Sequence, residues 1–224
     1  LVWIHGGGLA FGSGAAYNGS VLAARHGAVV CTMQYRLGWL GWLGFAEDGD
    51  GATGNWGLLD QQAALRWVRR EAAAFGGDDK SVTIFGQSAG AGSVMMHLVA
   101  PQSRGLFDRA ISESGAVGDW SRAFSLGKTA AAARKLGCEA DATRKCMGAR
   151  TAADVLAAQG DAPTPGIQDA QVAATVDGAT LPRSVLELLR TGKGARVPFL
   201  LGGNTNDATL FVYGYPDYAN MSAS

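Results

Sequence analysis

The stretch SVTIFGQSAGAG, residues 81–92, decides how this chain is read. Ser81 to Phe85 alternate in polarity and carry the β-branched Val82, Thr83 and Ile84, the pattern of a strand. The turn GQSAG follows, and then an apolar, Ala- and Met-rich run to Ala100 that reads as a helix. A serine at the centre of G-x-S-x-G, between strand and helix, has the form of a nucleophile elbow. The chemistry explains the spacing. The serine must sit on a sharp, strained turn, so its neighbours two residues away, Gly86 and Gly90, have to be small. The turn lifts the Ser88 hydroxyl clear of the sheet. It leaves the Ala89 amide at a helix N-terminus, where partial positive charge favours an oxyanion. The bland alternative is an ordinary Gly-rich strand-to-helix turn, because short motifs recur by accident.

Upstream, Leu1 to Ile4 read as a buried strand ending in His5-Gly6-Gly7-Gly8. Three glycines allow close backbone approach and positive φ, so consecutive amides can converge on one point. The functional reading is an oxyanion hole of the HGGG type, completed by the Ala89 amide. The other reading is a flexible turn. Leu9 and Phe11, just beyond, suggest an apolar acyl site, or simply core packing.

Composition bounds the rest. With 224 residues the chain can bury a proper core. Its 19 Lys and Arg balance 19 Asp and Glu with no basic cluster, so nucleic acid is not an expected partner. No apolar run is long enough to span a bilayer. Leu1 opens inside a strand, with no initiator Met and no leader, so the sequence is read as a fragment and its compartment is not inferred from that end. Cys138 and Cys146 bracket a polar loop, EADATRK, and could close a small disulfide ring, which tilts the compartment towards a secreted or endomembrane one. Cys31, in AVVCTM, is expected as a buried free thiol. Asn18-Gly19-Ser20 and Asn220-Met221-Ser222 match the glycosylation sequon.

Along the chain, Val21 to Arg25 suggest a short helix stopped by His26-Gly27, and Ala28 to Tyr35 a second strand. RLGWLGWLGF is expected as an exposed or substrate-facing loop. EDGDGATGN is a polar turn that lacks the terminal carboxylate a calcium loop needs, so no metal is expected there. Trp56 to Phe75 form the strongest helix signal, with Leu58, Leu59, Ala63, Leu65, Trp67 and Val68 as the apolar face. Gly76-Gly77-Asp78-Asp79 ends it before the strand of the elbow. This β-loop-α-loop-β crossover makes a parallel sheet the natural outcome. Further strands are read at Phe107 to Ser112 and Val197 to Leu201, and helices at Ala123 to Leu136, Ala152 to Ala158 and Val185 to Arg190. Gly160 to Gly166 are linker-like. There is no repeat and no second domain, and the polar section from 138 to 180 reads as a helical excursion above the sheet.

These residues resemble the type-B carboxylesterase family, the cholinesterase-like serine esterases. The likeness runs in order through IHGGG with FGSG, YRLG, GNWGLLDQQAALRWVRREAAAFGGDDKSVTIFGQSAGAGSV, LFDRAISESG, the loop from Cys138 to Cys146, VDGATLP and PFLLGGNTND followed by LFVYG. The resemblance implies a partial α/β-hydrolase fold: a mostly parallel central sheet flanked by helices, residues 1–224 forming part of a single domain truncated at both ends. It implies hydrolysis of a small-molecule carboxylic ester through an acyl-serine intermediate, without cofactor or metal. Ser88 would be the nucleophile, Gly7, Gly8 and Ala89 the oxyanion-hole donors, and Asp207 the triad acid, usually glutamate. Trp120 falls near a position lining the acyl pocket, and Cys138 and Cys146 on a family disulfide. Three departures stand out. Gln87 replaces the usual glutamate, removing a negative charge beside the nucleophile. Asp207 is one methylene short, and Asn206 and Ala208 differ from the usual residues around it. Residue by residue, Asp207 also reads as a helix N-cap.

A serine hydroxyl needs a base, and none of the three histidines fits. His5 belongs to the oxyanion turn and His26 to a helix end. His97 lies on the elbow helix, nine residues on, or roughly 13 Å at ~1.5 Å per residue. Triads of this fold run Ser, acid, His along the chain, so the base is expected beyond Ser224, and the chain as written is expected to turn over little. The alternative is a non-catalytic adhesion or binding protein on the same fold. A truncated gene without a stable product is a third reading.

Overall fold

The computed structural model describes residues 1–48, 51, 53–138, 144–160, 172–207 and 209. In chain order the elements are β1 (Val2–Ile4), α1 (Ser20–His26), β2 (Cys31–Thr32), α2 (Gly38–Trp42), α3 (Trp56–Glu71), β3 (Thr83–Gln87), α4 (Ala89–Val99), β4 (Arg109–Glu113), β5 (Asp119–Ser121), α5 (Arg122–Lys135), α6 (Arg144–Gly148), α7 (Ala152–Gln159), β6 (Ala174–Val176), α8 (Val185–Arg190) and β7 (Phe199–Gly202). Val2, Trp3 and Ile4 are all buried, as a run without polar alternation requires of a strand covered on both faces. The main sheet runs β2-β1-β3-β4-β7, every pair parallel.

That order positions the site. From β1 the chain crosses by α1 to β2 on one side, then returns over β1 by α2 and α3 to β3 on the other. The winding reverses between β1 and β3, and open parallel sheets hold their ligands beyond the carboxyl ends of the strands at such a reversal. Beyond β1 lies HGGG, and beyond β3 lies Ser88. The α4 helix leads from the elbow into the core, with Gly90 to Val99 all buried. It is apolar nearly all round because β1, β3, β4 and α8 surround it.

One buried polar chain crosses this core. His97 on α4 is fully enclosed. Its Nε2 bonds Gln61 Oε1 at 3.0 Å and its Nδ1 bonds Ser103 Oγ at 2.8 Å. Gln61 Nε2 donates to Ser93 Oγ, Gln62 Nε2 donates to Ser103 Oγ, and Ser93 Oγ donates to the Ala89 carbonyl. An amide oxygen only accepts, so Nε2 of His97 carries the proton and Nδ1 accepts from Ser103. Burial holds His97 neutral down to about pH 3. The α3 face predicted from apolar residues is therefore partly polar: Leu58, Leu65 and Val68 are buried, but Ala63 and Trp67 are exposed, and Gln61 and Gln62 take core positions.

The excursion is not purely helical. β5 and β6 pair in a second, two-stranded parallel sheet, so the section read as helices contains a strand at residues 174–176. Asp177 ties it down: its carboxylate accepts from the Thr53, Ala179 and Leu181 amides and from Asn55 Nδ2. Leu43, Ala132, Ala133, Leu136, Met147 and Val155 form a separate small core around Cys138, which bridges to Cys146 as expected. The bridge closes a short ring, so replacing Cys146 by serine is expected to lower stability by about 2–3 kcal/mol, read as a shifted urea midpoint. A variant with the native midpoint would show that the loop is held by its packing alone.

Other expectations shift. RLGWLGWLGF is not a loop throughout: Gly38–Trp42 form α2, and Trp42 is fully buried. The strand read at 28–35 shortens to Cys31–Thr32, because β1 offers it only Val2 and Trp3 as ladder partners. Cys31 is a free thiol but only half-buried. The elbow strand starts and ends two residues later than read, β4 begins at Arg109, and α3 gives way to a 3₁₀ turn at Ala72–Phe75. α1 ends where read, with Gly27 left-handed at φ 57°. The linker reading at 161–166, the sequon at Asn220, and parts of the EDGDGATGN and cysteine loops lie outside the described residues. Among the described residues no helix is long and apolar enough to cross a membrane.

Candidate active site

Ser88 has φ 58° and ψ −123°, a conformation that a residue with a Cβ rarely adopts. Close packing on either side holds it there. A Cβ on Gly86 would lie 2.6 Å from the Gly90 carbonyl carbon, and one on Gly90 would lie 2.0 Å from the Ile4 carbonyl oxygen. The Ser88 amide donates to the Glu113 carbonyl, extending the β3–β4 ladder to the turn itself. Ser88 occupies the N-cap position of α4, yet its side chain makes no capping bond. Ser88 is half-buried and its hydroxyl has no hydrogen-bond partner among the described residues, beside the N1 amide of Ala89, which helix geometry leaves without an intrahelical acceptor.

The HGGG turn passes directly over this serine. A Cβ on Gly6 would lie 2.7 Å from the Gln87 carbonyl and 3.1 Å from Ser88 Cβ. Gly7, Gly8 and Leu9 follow at φ 111°, 61° and 61°, and the Gly7 carbonyl closes the turn by accepting from the Ala10 and Phe11 amides. The amides of Gly7 and Gly8 have no acceptor among the described residues. Space above Gly8 is open. Leu9 is buried in the main core and Phe11 is exposed, so Leu9 is packing rather than acyl site.

Asp207 comes in from β7. Register aligns Gln87, Glu113 and Gly202 across three neighbouring strands, so Ser88, Ser114 and the turn from Gly203 follow one another along one sheet edge. The Ser114 amide donates to the Gly202 carbonyl. The Ser114 hydroxyl, seconded by Asn204, holds the exposed Asp207 carboxyl below its ordinary range. Ser114 is a partner that sequence reading missed. Its signal was the SESG after β4, where Ser114 takes φ 51° without being glycine.

Trp120 stands on β5, half-buried, its ring 5.2 Å from Phe124 with Lys128 Nζ over both. These contacts do not include the Ser88 turn. His26 is exposed at the end of α1, and His97 is committed to Gln61 and Ser103. His5 is buried, bonded through Nδ1 to the Gly6 carbonyl. Among the described residues no histidine nitrogen is hydrogen-bonded to the Ser88 hydroxyl. Among the described residues no group of His, Cys, Asp or Glu could hold a metal ion.

Fold and elbow together define an α/β-hydrolase. The chain belongs to the carboxylesterase family, whose family model matches residues 1–224. It is 41% identical over 216 residues to the pyrethroid hydrolase Ces2e of Rattus norvegicus, covering 92% of this chain and 36% of that protein. Against the cholinesterase of Mus musculus it is 40% identical over 235 residues, covering 100% of this chain and 39% of that one. Among solved structures, the carboxylesterase Est55 of Geobacillus stearothermophilus superposes with a TM-score of 0.86 at 36% identity, over 99% of this chain and 47% of that one. The chain thus spans less than half the length of these relatives.

Proposed function

We propose that these residues carry the nucleophile, the oxyanion hole and the acid of a serine carboxylesterase, as part of one α/β-hydrolase domain. Ser88 Oγ attacks the ester carbonyl carbon, and its proton passes to a histidine base. The carbonyl oxygen becomes an oxyanion between the Gly7, Gly8 and Ala89 amides. As the tetrahedral intermediate collapses, the base protonates the departing alcohol and the acyl group stays on Ser88. Water, deprotonated by the same base, then releases the acid. Asp207, kept ionised by Ser114, orients the imidazole. His97 is bonded to Gln61 and Ser103, His5 Nδ1 to the Gly6 carbonyl, and His26 lies exposed at the end of α1, so none is assigned as the base, which is taken to be a histidine outside these 224 residues.

The observation that carries the reading is the strained, uncapped Ser88 beneath the HGGG turn. A binding protein has no use for a serine held at positive φ with no partner for its hydroxyl among the described residues, and nothing in the fold favours the adhesion reading. The relatives are named for different substrates, one a pyrethroid hydrolase and one a cholinesterase, so only the class of carboxylic esters is proposed. Treating the intact protein with a fluorophosphonate and mapping its peptides tests it: one phosphonyl group is expected, on Ser88. Labelling elsewhere, or none in a folded protein, would end the proposal.

A further inference from the structure

We propose, on the footing of that acyl-serine reading, that His5 is the positioning residue that sets which way the Gly6–Gly7 peptide faces. In a trans peptide the carbonyl and the following N–H point in opposite directions. His5 Nδ1 lies 2.8 Å from the Gly6 carbonyl oxygen, which can only accept. The imidazole therefore carries its proton on Nδ1 and donates it there. Pinning that carbonyl on one side turns the Gly7 N–H to the other, which we take to be the side of Ser88.

Without such a pin the peptide is free to turn over, because glycines flank it and tolerate either sign of φ. Turned over, it would present a carbonyl to the oxyanion in place of a donor. The rest of the cage holds the imidazole rigid. The Tyr35 ring stacks on it at 4.4 Å, 21° from parallel, and the Tyr35 hydroxyl donates to the His5 carbonyl at 2.7 Å. Burial pushes the Tyr35 phenol up, so it stays a donor. A Cβ on Gly12 would lie 2.5 Å from the Gly6 oxygen and 2.6 Å from His5 Nδ1, so no side chain there can compete for the bond. His5 Nε2 is buried and has no partner among the described residues. A histidine that merely filled space could be replaced by an apolar group of its size, which would remove that orphan acceptor. What an apolar group cannot replace is the Nδ1 proton.

Three variants of the intact protein test the proposal, each assayed on a p-nitrophenyl ester and with a trifluoromethyl ketone, which adds to a serine as a hemiketal oxyanion. His5→Leu removes the donor, and His5→Asn places an amide nitrogen where Nδ1 was. Expected is a loss of about a hundredfold in kcat for His5→Leu, with KM changed by less than about twofold and ketone affinity falling in step with kcat. His5→Asn is expected to recover to within about tenfold of the native kcat. In the native protein, ¹⁵N-histidine NMR is expected to show His5 as the neutral Nδ1–H tautomer, and this decides the matter should His5→Leu not fold. Equal losses in both variants, native kcat in His5→Leu, or an Nε2–H tautomer would each overturn the proposal. Ser88→Ala separates the two ideas. If it retains turnover, the acyl-serine reading falls and takes this proposal with it; if it is dead while His5→Leu is active, only the role of His5 falls.

Discussion

Gly90→Ala is expected to lower stability by about 3 kcal/mol or more and to cut ester turnover by at least about a hundredfold. Helix propensity alone argues the opposite, since alanine in a helix interior is favoured over glycine by about 1 kcal/mol. Sterics decides. The added methyl would sit 2.0 Å from the Ile4 carbonyl oxygen, at the end of interior strand β1, and 2.9 Å from that of His5, the residue just after it, and neither backbone atom can swing aside. Relief requires the first turn of α4 to lift off β1, which carries Ser88 away from the HGGG turn. Gly127 on α5 is the control: a Cβ there meets nothing within 4 Å, so Gly127→Ala is expected to be neutral or stabilising by up to about 1 kcal/mol. Unfolding midpoints and turnover for the pair provide the check. A Gly90→Ala protein indistinguishable from native would mean that β1 and α4 are not in the contact described.

The second large effect is acid lability centred on His97. The folded protein keeps this imidazole neutral to about pH 3, whereas the ordinary value is 6.5. Below pH 6.5 protons therefore favour the unfolded chain. The stabilisation is complete above that point and is lost progressively as pH falls towards 3. The gap corresponds to on the order of 5 kcal/mol at the acid end. Protonation breaks the chain at a definite place: Nδ1, which accepts from Ser103, would become a second donor. Urea midpoints between pH 7 and 4 should fall steeply in the native protein. In His97→Gln the protein should start from a lower midpoint at pH 7 and show a flatter pH profile. Parallel profiles in the two would assign the acid sensitivity to carboxylates instead.

The parts of this molecule most legible in its sequence are those where backbone geometry forbids a side chain. Gly86 and Gly90 declare the sharp strand-to-helix turn because a Cβ there strikes backbone, and Gly7 and Gly8 declare the HGGG turn through positive φ. The parallel sheet follows from two strands joined through one strong helix, the crossover that Trp56 to Phe75 declare. What resisted reading depends on partners far off in the chain. Gln61 and Gln62 look like the solvent side of α3 until His97 and Ser103 are set opposite them. β5 and β6 are three residues each, and only their pairing reveals them. α2 hides in a glycine- and tryptophan-rich stretch that has no helical polarity pattern, and its position depends on Gln159 Oε1 accepting from the Trp39 amide. In the site, Ser88 and the glycines were readable singly. The support of Asp207 by Ser114 was not, because it exists only once β4 and β7 lie side by side.

The reversal of winding between β1 and β3 also governs when reactivity arises. Gly7 and Ser88 stand about eighty residues apart, and only the register Ile4 to Gly86 brings their turns together. As the chain leaves the ribosome, the HGGG segment emerges long before the serine and waits without a counterpart. Until the two strands zip, Ser88 is an ordinary alcohol with the reactivity of any surface serine. On the proposed acyl-serine reading, nascent and misfolded copies would be chemically silent, and reactivity at Ser88 would arise with the same event that completes the core.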